Sequence, residues 1–379
     1  MGRRHRTGTF AGLAVLAVAC APPKPDPSPG RDSAPSLLPD DSARGEPPDA
    51  DGDGASDEVD CDDGDASVFP GAVERCDEVD DDCDGSVAEG FADFDADGVP
   101  DCVDVFAAGD PVQHPTLGTL RYIPAGTFTM GCVPGRDDVA GGCLEDESPP
   151  HVVTITEGFW VMSSELTQAV WSRLGYANPS FTVDPRHPVD RATWWEAIAF
   201  ANAVSRGDGL TSCYQLTGCR GAVGEGMTCG AATPIAGCTG WRLPTEAEWE
   251  WAARAGTSYP YAAGDDGRVV GWLAENADGT SQPTCRKPAN AWGLCDATGN
   301  VAEWVADVHA LYEPWAATDP SGPSEGPFRV FRGGHWSNDL QYARIAARLH
   351  NLPGVRHDRV GFRLVCAGPE PGSGAPSVP

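Results

Sequence analysis

Positive charge is what this sequence has least of. Its 379 residues carry 26 lysines and arginines against 56 aspartates and glutamates, a formal charge of −30. The shortage is sharpest between Asp49 and Asp110, where Arg75 is the single basic residue among 23 acidic ones. A surface of that sign repels phosphate backbones and anionic headgroups, which excludes nucleic acid as a partner and makes cations the natural ones. Long apolar runs are scarce as well. The N-terminal run from Phe10 to Ala19 is too short to span a bilayer. Histidines are few, and His151, His187, His309, His335, His350 and His357 show none of the short spacings that aim two imidazoles at one metal from a single element.

The two ends read as export signal and tail. Arg3, Arg4, His5 and Arg6 precede the apolar run, which ends at Cys20, so residues 1–20 form a secretion signal. Leu16 to Cys20 resembles a bacterial lipobox. Cys20 is then the lipidated first residue of the mature chain, held to the membrane by more than one acyl chain; the alternative is plain secretion with Cys20 an ordinary residue. The expected location is the cell envelope. Residues 21–48 are Pro-rich and read as a disordered tether, and 368–379 as a disordered tail. Thirteen cysteines besides Cys20 suit an oxidising compartment. They fall in local groups: Cys61, Cys76, Cys83 and Cys102; Cys132 and Cys143; Cys213, Cys219, Cys229 and Cys238; Cys285, Cys295 and Cys366. Disulfides within groups are expected, and the odd number leaves one thiol free or paired with another chain.

Residues 49–110 form an acidic module. Asp49, Asp51, Asp53, Asp57 and Asp60 stand at positions 1, 3, 5, 9 and 12 of a loop with Gly54 at position 6, and Ala55 offers its carbonyl at position 7. That is the spacing with which a tight loop surrounds a hard cation with oxygens. The pattern recurs at Asp93, Asp95, Asp97, Val99 (by its carbonyl), Asp101 and Asp104. Asp80, Asp82, Asp84 and Gly85 begin a third, degenerate copy, with Ala88 and Phe91 where later ligands belong. Without flanking amphipathic helices, the loops resemble disulfide-stapled thrombospondin type 3 repeats. The stretch from Asp60 to Gly85 is similar to a short metal-binding repeat of secreted bacterial proteins. Calcium is the ion this chemistry selects.

From 118 to 367 the chain is rich in Trp and Gly. Strands are expected at Arg121–Ile123, Thr127–Met130 and His151–Ile155. Thr193 with Glu196, and Thr245 with Glu248, are capping boxes that open helices toward Val204 and toward a stop near Gly256. A third helix is expected over 167–174. The fold class is α+β with little regular secondary structure. Five segments in order then carry a resemblance: Ile123–Gly131 (IPAGTFTMG), Gly240–Arg254 (GWRLPTEAEWEWAAR), Asn290–Trp304 (NAWGLCDATGNVAEW), Arg329–Trp336 (RVFRGGHW) and Gly361–Leu364 (GFRL). Over about 250 residues they resemble the formylglycine-generating, or sulfatase-modifying factor, family, whose fold is a C-type-lectin-like variant.

The resemblance implies oxidation of a client sulfatase's cysteine with O₂ and copper held by two cysteines between the fourth and fifth segments. Here that interval has none; the two positions hold Asn338 and Ala343, neither a soft ligand nor a thiolate. Copper is therefore not expected. Some relatives are iron oxygenases, with closely spaced histidines on a separate helical domain, and no such cluster exists in this sequence; a triad assembled by folding would draw on His335, His350 and His357. The family also binds calcium at the glycine turn, which carried over gives the Asp296 and Glu303 side chains and the Gly299 and Val301 carbonyls. Ala302 stands where the family carries Trp. Three functions follow. The first is a recognition module for a protein or glycan, presenting Trp336, Asn338, Asp339, Tyr342, Arg344, Arg348, His350 and Arg359. The second is an oxidoreductase of the family's class, and the third a structural envelope component.

Overall fold

Three threonines start the three expected helices. Thr167, Thr193 and Thr245 each sit in extended backbone and accept a hydrogen bond from an amide in the first turn, at Val170, Glu196 and Glu248, and Glu196 and Glu248 close the capping boxes by reaching back to the cap amide. The computed structural model describes residues 49–85, apart from 57, 74 and 76–78, and residues 108–367. Cys20, Asp57, the tether, the tail and the whole loop from Asp93 to Asp104 lie outside the described residues.

Within 108–367 the order is β1 (Pro111–His114), β2 (Gly118–Ile123), β3 (Gly126–Met130), β4 (His151–Ile155), β5 (Phe159–Met162), α1 (Gln168–Arg173) and α2 (Trp194–Gly207). There follow β6 (Tyr214–Thr217), β7 (Ala231–Pro234), α3 (Glu246–Arg254), α4 (Gly267–Val270) and β8 (Ala302–Val308). Last come β9 (Ala317–Thr318), β10 (Arg329–Arg332), β11 (Arg348–Asn351), β12 (Val360–Gly361) and β13 (Val365–Ala367). The strands form sheets β1-β2-β5-β13, β11-β10-β8-β12, β3-β4-β9 and β6-β7. The expected strands fall within β2, β3 and β4. The expected domain start at 118 is too late, because Pro111–His114 pairs antiparallel with Gly118–Arg121 and belongs to the same sheet.

α2 buries Ala197, Ile198, Phe200, Ala201 and Val204 against Trp171, Trp241, Trp304 and Phe362; Trp171 stacks on Phe200 with ring centroids 5.2 Å apart. α3 ends where Ala255 turns left-handed before Gly256. Its Glu246 and Glu250 are buried, and each is answered by arginine. Arg332 reaches Glu246 and Glu250, both at 2.6 Å; Arg348 reaches Glu246, and Arg254 reaches Glu250. This ionic layer fixes β10 and β11 against α3.

Disulfides join Cys61–Cys83, Cys132–Cys143, Cys213–Cys238, Cys219–Cys229 and Cys285–Cys295, all within the expected groups. Cys366 is also disulfide-bonded. Since Cys285 and Cys295 hold each other, neither is its partner, which corrects the expectation for that residue. Among the described cysteines none is free.

Candidate functional site

β10 runs into Gly333 and Gly334, both left-handed. A Cβ at Gly334 would lie 2.6 Å from the Tyr342 carbonyl oxygen, so only glycine permits the segment after it to fold back this closely. On this segment lie the two positions where the resemblance places copper ligands. The Asn338 side-chain oxygen accepts the His335 backbone amide, and the Asn338 backbone amide donates to the His335 carbonyl. Ala343 has no exposure and packs with Tyr261, Val270 and Leu273. A methyl group in an apolar cluster and an amide closing a turn supply no thiolate.

The expected recognition surface is only partly a surface. Asp339 and His350 are exposed, and Trp336, Asn338, Tyr342 and Arg359 are half-buried. The Arg359 guanidinium lies 5.0 Å from the centre of the Trp336 ring, whose indole N–H donates to the Asp358 carbonyl. Arg344 and Arg348 are corrections. Arg344 is wholly buried and bidentate to Glu147, 2.8 Å on each nitrogen; Arg348 is bidentate to Glu246. Their charge is tolerated inside because each meets a carboxylate in planar, two-bond geometry.

The turn expected to hold calcium gathers three buried carboxylates. Both Glu303 oxygens face Arg363, at 2.5 and 2.6 Å, and one also accepts the Trp249 indole N–H. Glu303 is thus an ion-pair partner and not an open ligand, a second correction. Glu165 accepts from the Val301 amide and the Asn300 side chain. Asp296 accepts the Cys285 amide on Oδ2, while its Oδ1 is shielded from solvent without a hydrogen-bond partner. Burial, with Glu303 nearby, pushes the Asp296 carboxyl up to about 6. Burial again, with Asp296 and Glu303 beside it, pushes Glu165 well above the carboxylate range.

In the acidic module the loop spacing has become geometry. Asp49 accepts the Gly52 and Gly54 amides, Asp51 the Asp53 amide and Asp53 the Ala55 amide. The three carboxylates place ligand atoms within 4.8 Å of one another, as do Asp80, Asp82 and Asp84. Oδ2 of Asp51 and Oδ2 of Asp53 are shielded and have no hydrogen-bond partner, so both are free to accept from an ion. Partial desolvation, with Asp53, Asp60 and Asp49 around it, pushes the Asp51 carboxyl up. The Cys61–Cys83 bond joins the two loops, and the Asp81 carboxylate holds Arg75 through its backbone amide at 2.6 Å and its guanidinium at 2.5 Å. Donor set, spacing and orphaned oxygens together fit a hard cation.

The sulfatase-modifying factor enzyme 1-like domain family matches residues 107–367. The chain belongs to that family. The Cu-binding MopE metal-binding motif matches residues 60–89, within the acidic module. The formylglycine-generating enzyme of Streptomyces coelicolor is 30% identical over 294 residues, covering 67% of this chain and 91% of that one. Chaperone protein LppX of Paenibacillus barcinonensis is 28% identical over 248 residues, covering 58% and 85%. Of a further relative, the serine/threonine-protein kinase pkn1 of Chlamydia caviae, the chain spans 23%. Among solved structures, Treponema denticola variable protein 1 is similar with a TM-score of 0.58 at 28% identity, covering 66% of this chain and 95% of that one.

On this sulfatase-modifying-factor scaffold, folding brings together residues that spacing does not mark. His335 meets His357, with rings 6.2 Å apart, and His350 meets His309, so the expected trio does not assemble. Burial, with Arg359 and His357 nearby, pushes His335 down to about 3. A cavity of about 410 Å³ opens beside Met130, His151, Glu246, Asp307, Tyr312 and Trp315. Asp307 was legible in principle, because it lies on the same face of β8 as Glu303, four residues earlier. Glu165 was not: nothing around it in sequence distinguishes it from a surface acid.

Proposed function

We propose that this protein is exported, anchored to the membrane through lipid on Cys20, and binds calcium through its acidic module. Its sulfatase-modifying-factor-like domain then serves as a recognition module for a protein or glycan, not as a cysteine oxidase. The observation that carries the reading is Ala343: the second copper-ligand position is a methyl group sealed among Tyr261, Val270 and Leu273, where no soft metal can be held. The half-buried Trp336 and Arg359, with exposed Asp339 and His350, supply an aromatic and polar contact face. The Paenibacillus relative is named a chaperone, which favours a polypeptide over a glycan. Identity to a formylglycine-generating enzyme across the domain supports the second reading, an oxidoreductase of that class.

Incubating the purified chain with copper, a reductant and a sulfatase-derived cysteine peptide separates the two. Mass spectrometry is expected to find the cysteine intact after prolonged incubation; conversion to formylglycine above a protein-free blank would overturn the recognition reading. The calcium assignment has its own test. Titration calorimetry on the apo chain is expected to show calcium binding with a Kd on the order of 10⁻⁴–10⁻³ M, the range of extracellular modules. The heat is expected to fall sharply in the double variant Asp51→Asn, Asp53→Asn. A chain that gives no calcium heat does not carry the site.

A further inference from the structure

Outside the acidic module, the described residues hold one further group of side chains able to share an ion without a disulfide among them: Asp146, His309 and His350. We infer that these three bind a first-row divalent transition-metal ion of the zinc class, through two imidazoles and one carboxylate. The inference is independent of whether the domain recognises a ligand.

The three ligands come from three segments far apart in sequence. Asp146 lies in the 3₁₀ turn Glu145–Glu147, His309 directly follows β8, and His350 is within β11. β10 lies between β8 and β11 in the sheet. His350 is opposite Val330, and the His309 amide donates to the Phe328 carbonyl just before β10. The two rings consequently meet over the start of that strand, their centroids 3.8 Å apart and their planes 27° apart. One guanidinium group sets the third segment. Arg348 donates at 2.7 Å to the Asp146 carbonyl and at 2.8 Å to the Ala310 carbonyl, clamping the two ligand-bearing turns, and is itself anchored on Glu246. The neighbouring Glu147 is locked on Arg344. Such backbone support is what a metal site requires of its surroundings.

The ligand atoms lie within 4.8 Å of one another. His309 Nε2 is 3.6 Å from Asp146 Oδ2, beyond hydrogen-bond length, and is a shielded nitrogen with no hydrogen-bond partner. Two ligands on one tetrahedral ion, with bonds near 2.1 Å, stand about 3.4 Å apart. The pair therefore has the separation of two ligands and not that of a hydrogen-bonded ion pair. Two nitrogen donors also discriminate against calcium, which takes oxygen. The exposure of His350 leaves a path for the ion to enter.

The test is a cobalt(II) titration of the full chain in calcium excess sufficient to occupy the acidic loops, read by visible absorption. One equivalent is expected to give a d–d band that zinc(II) abolishes. His309→Ala and His350→Ala are each expected to weaken binding at least about tenfold, while Asp51→Asn with Asp53→Asn leaves the band unchanged. His350 is exposed, so His350→Ala keeps the fold; zinc is expected to raise the unfolding midpoint of the parent chain and not that of this variant. Absence of a band at millimolar cobalt, or a band and a zinc-dependent midpoint that survive both histidine variants, overturns the assignment.

Discussion

Arg332→Ala is expected to cost about 3–5 kcal/mol, because it removes one member of a buried ionic network and strands the rest. Arg332 is wholly buried, at 0% exposure, and bridges Glu246 and Glu250 of α3 while donating to the Ile345 carbonyl. Burial alone would push the Glu246 carboxyl up; Arg348 and Arg332 outweigh it and hold it down at about 2. With Arg332 gone, Glu246 keeps Arg348 and Glu250 keeps Arg254, but each loses half of its compensation, Glu250 with no solvent exposure to make up the difference. The neighbouring Trp249 also loses the guanidinium 5.3 Å over its ring. Urea unfolding of parent and variant in the same calcium buffer measures the difference, and a loss below about 1 kcal/mol, the range of exposed ion pairs, would mean that the network is not a structural element. Arg332→Lys restores a charge without the fork that spans two carboxylates, and is expected to recover only part of the loss.

That network also shows where sequence reasoning reaches and where it stops. The helix starts were readable because a cap is local: Thr193 and Glu196, or Thr245 and Glu248, carry their whole geometry within four residues. The lost thiolates at Asn338 and Ala343 were readable because the motifs on either side, from Arg329 to Trp336 and from Gly361 to Leu364, fix the register. The acidic loops were readable for the same reason, since Asp49 to Ala55 forms its hydrogen bonds within itself. Arg344 and Arg348 were misassigned to the surface because arginine is exposed unless paired, and their partners Glu147 and Glu246 lie 197 and 102 residues away. Asp146, His309 and His350 have the same history. No spacing rule can join a turn near the start of the domain to two histidines on either flank of a strand near its end.

Asp307 offers a test of the candidate cavity that needs no ligand. Burial, with Glu246 next to it, pushes its carboxyl up to about 8, and it accepts the Glu246 amide at 2.7 Å while lining the cavity wall. The folded-state value lies above the ordinary carboxyl value, so the folded chain keeps a proton that the unfolded chain releases. Its stabilising contribution is therefore complete below about pH 4 and is lost as pH rises through 8. Asp296, pushed up to about 6, acts in the same direction over a lower window. Between pH 5 and 9 the linkage at Asp307 amounts to a loss on the order of 4 kcal/mol. Asp307→Asn keeps an acceptor for the Glu246 amide and removes the titration. The variant is expected to exceed the parent modestly in stability near pH 5 and by much more at pH 9, with a flatter profile between. Urea midpoints at fixed calcium across that range decide it: parallel profiles would mean that Asp307 is ionised in the folded chain, with water in the cavity solvating it. A flattened profile would mean that the cavity presents a neutral carboxyl at physiological pH, a hydrogen-bond donor beside the Glu246 carboxylate, and so selects for a ligand group that accepts a hydrogen bond and does not carry positive charge to that wall.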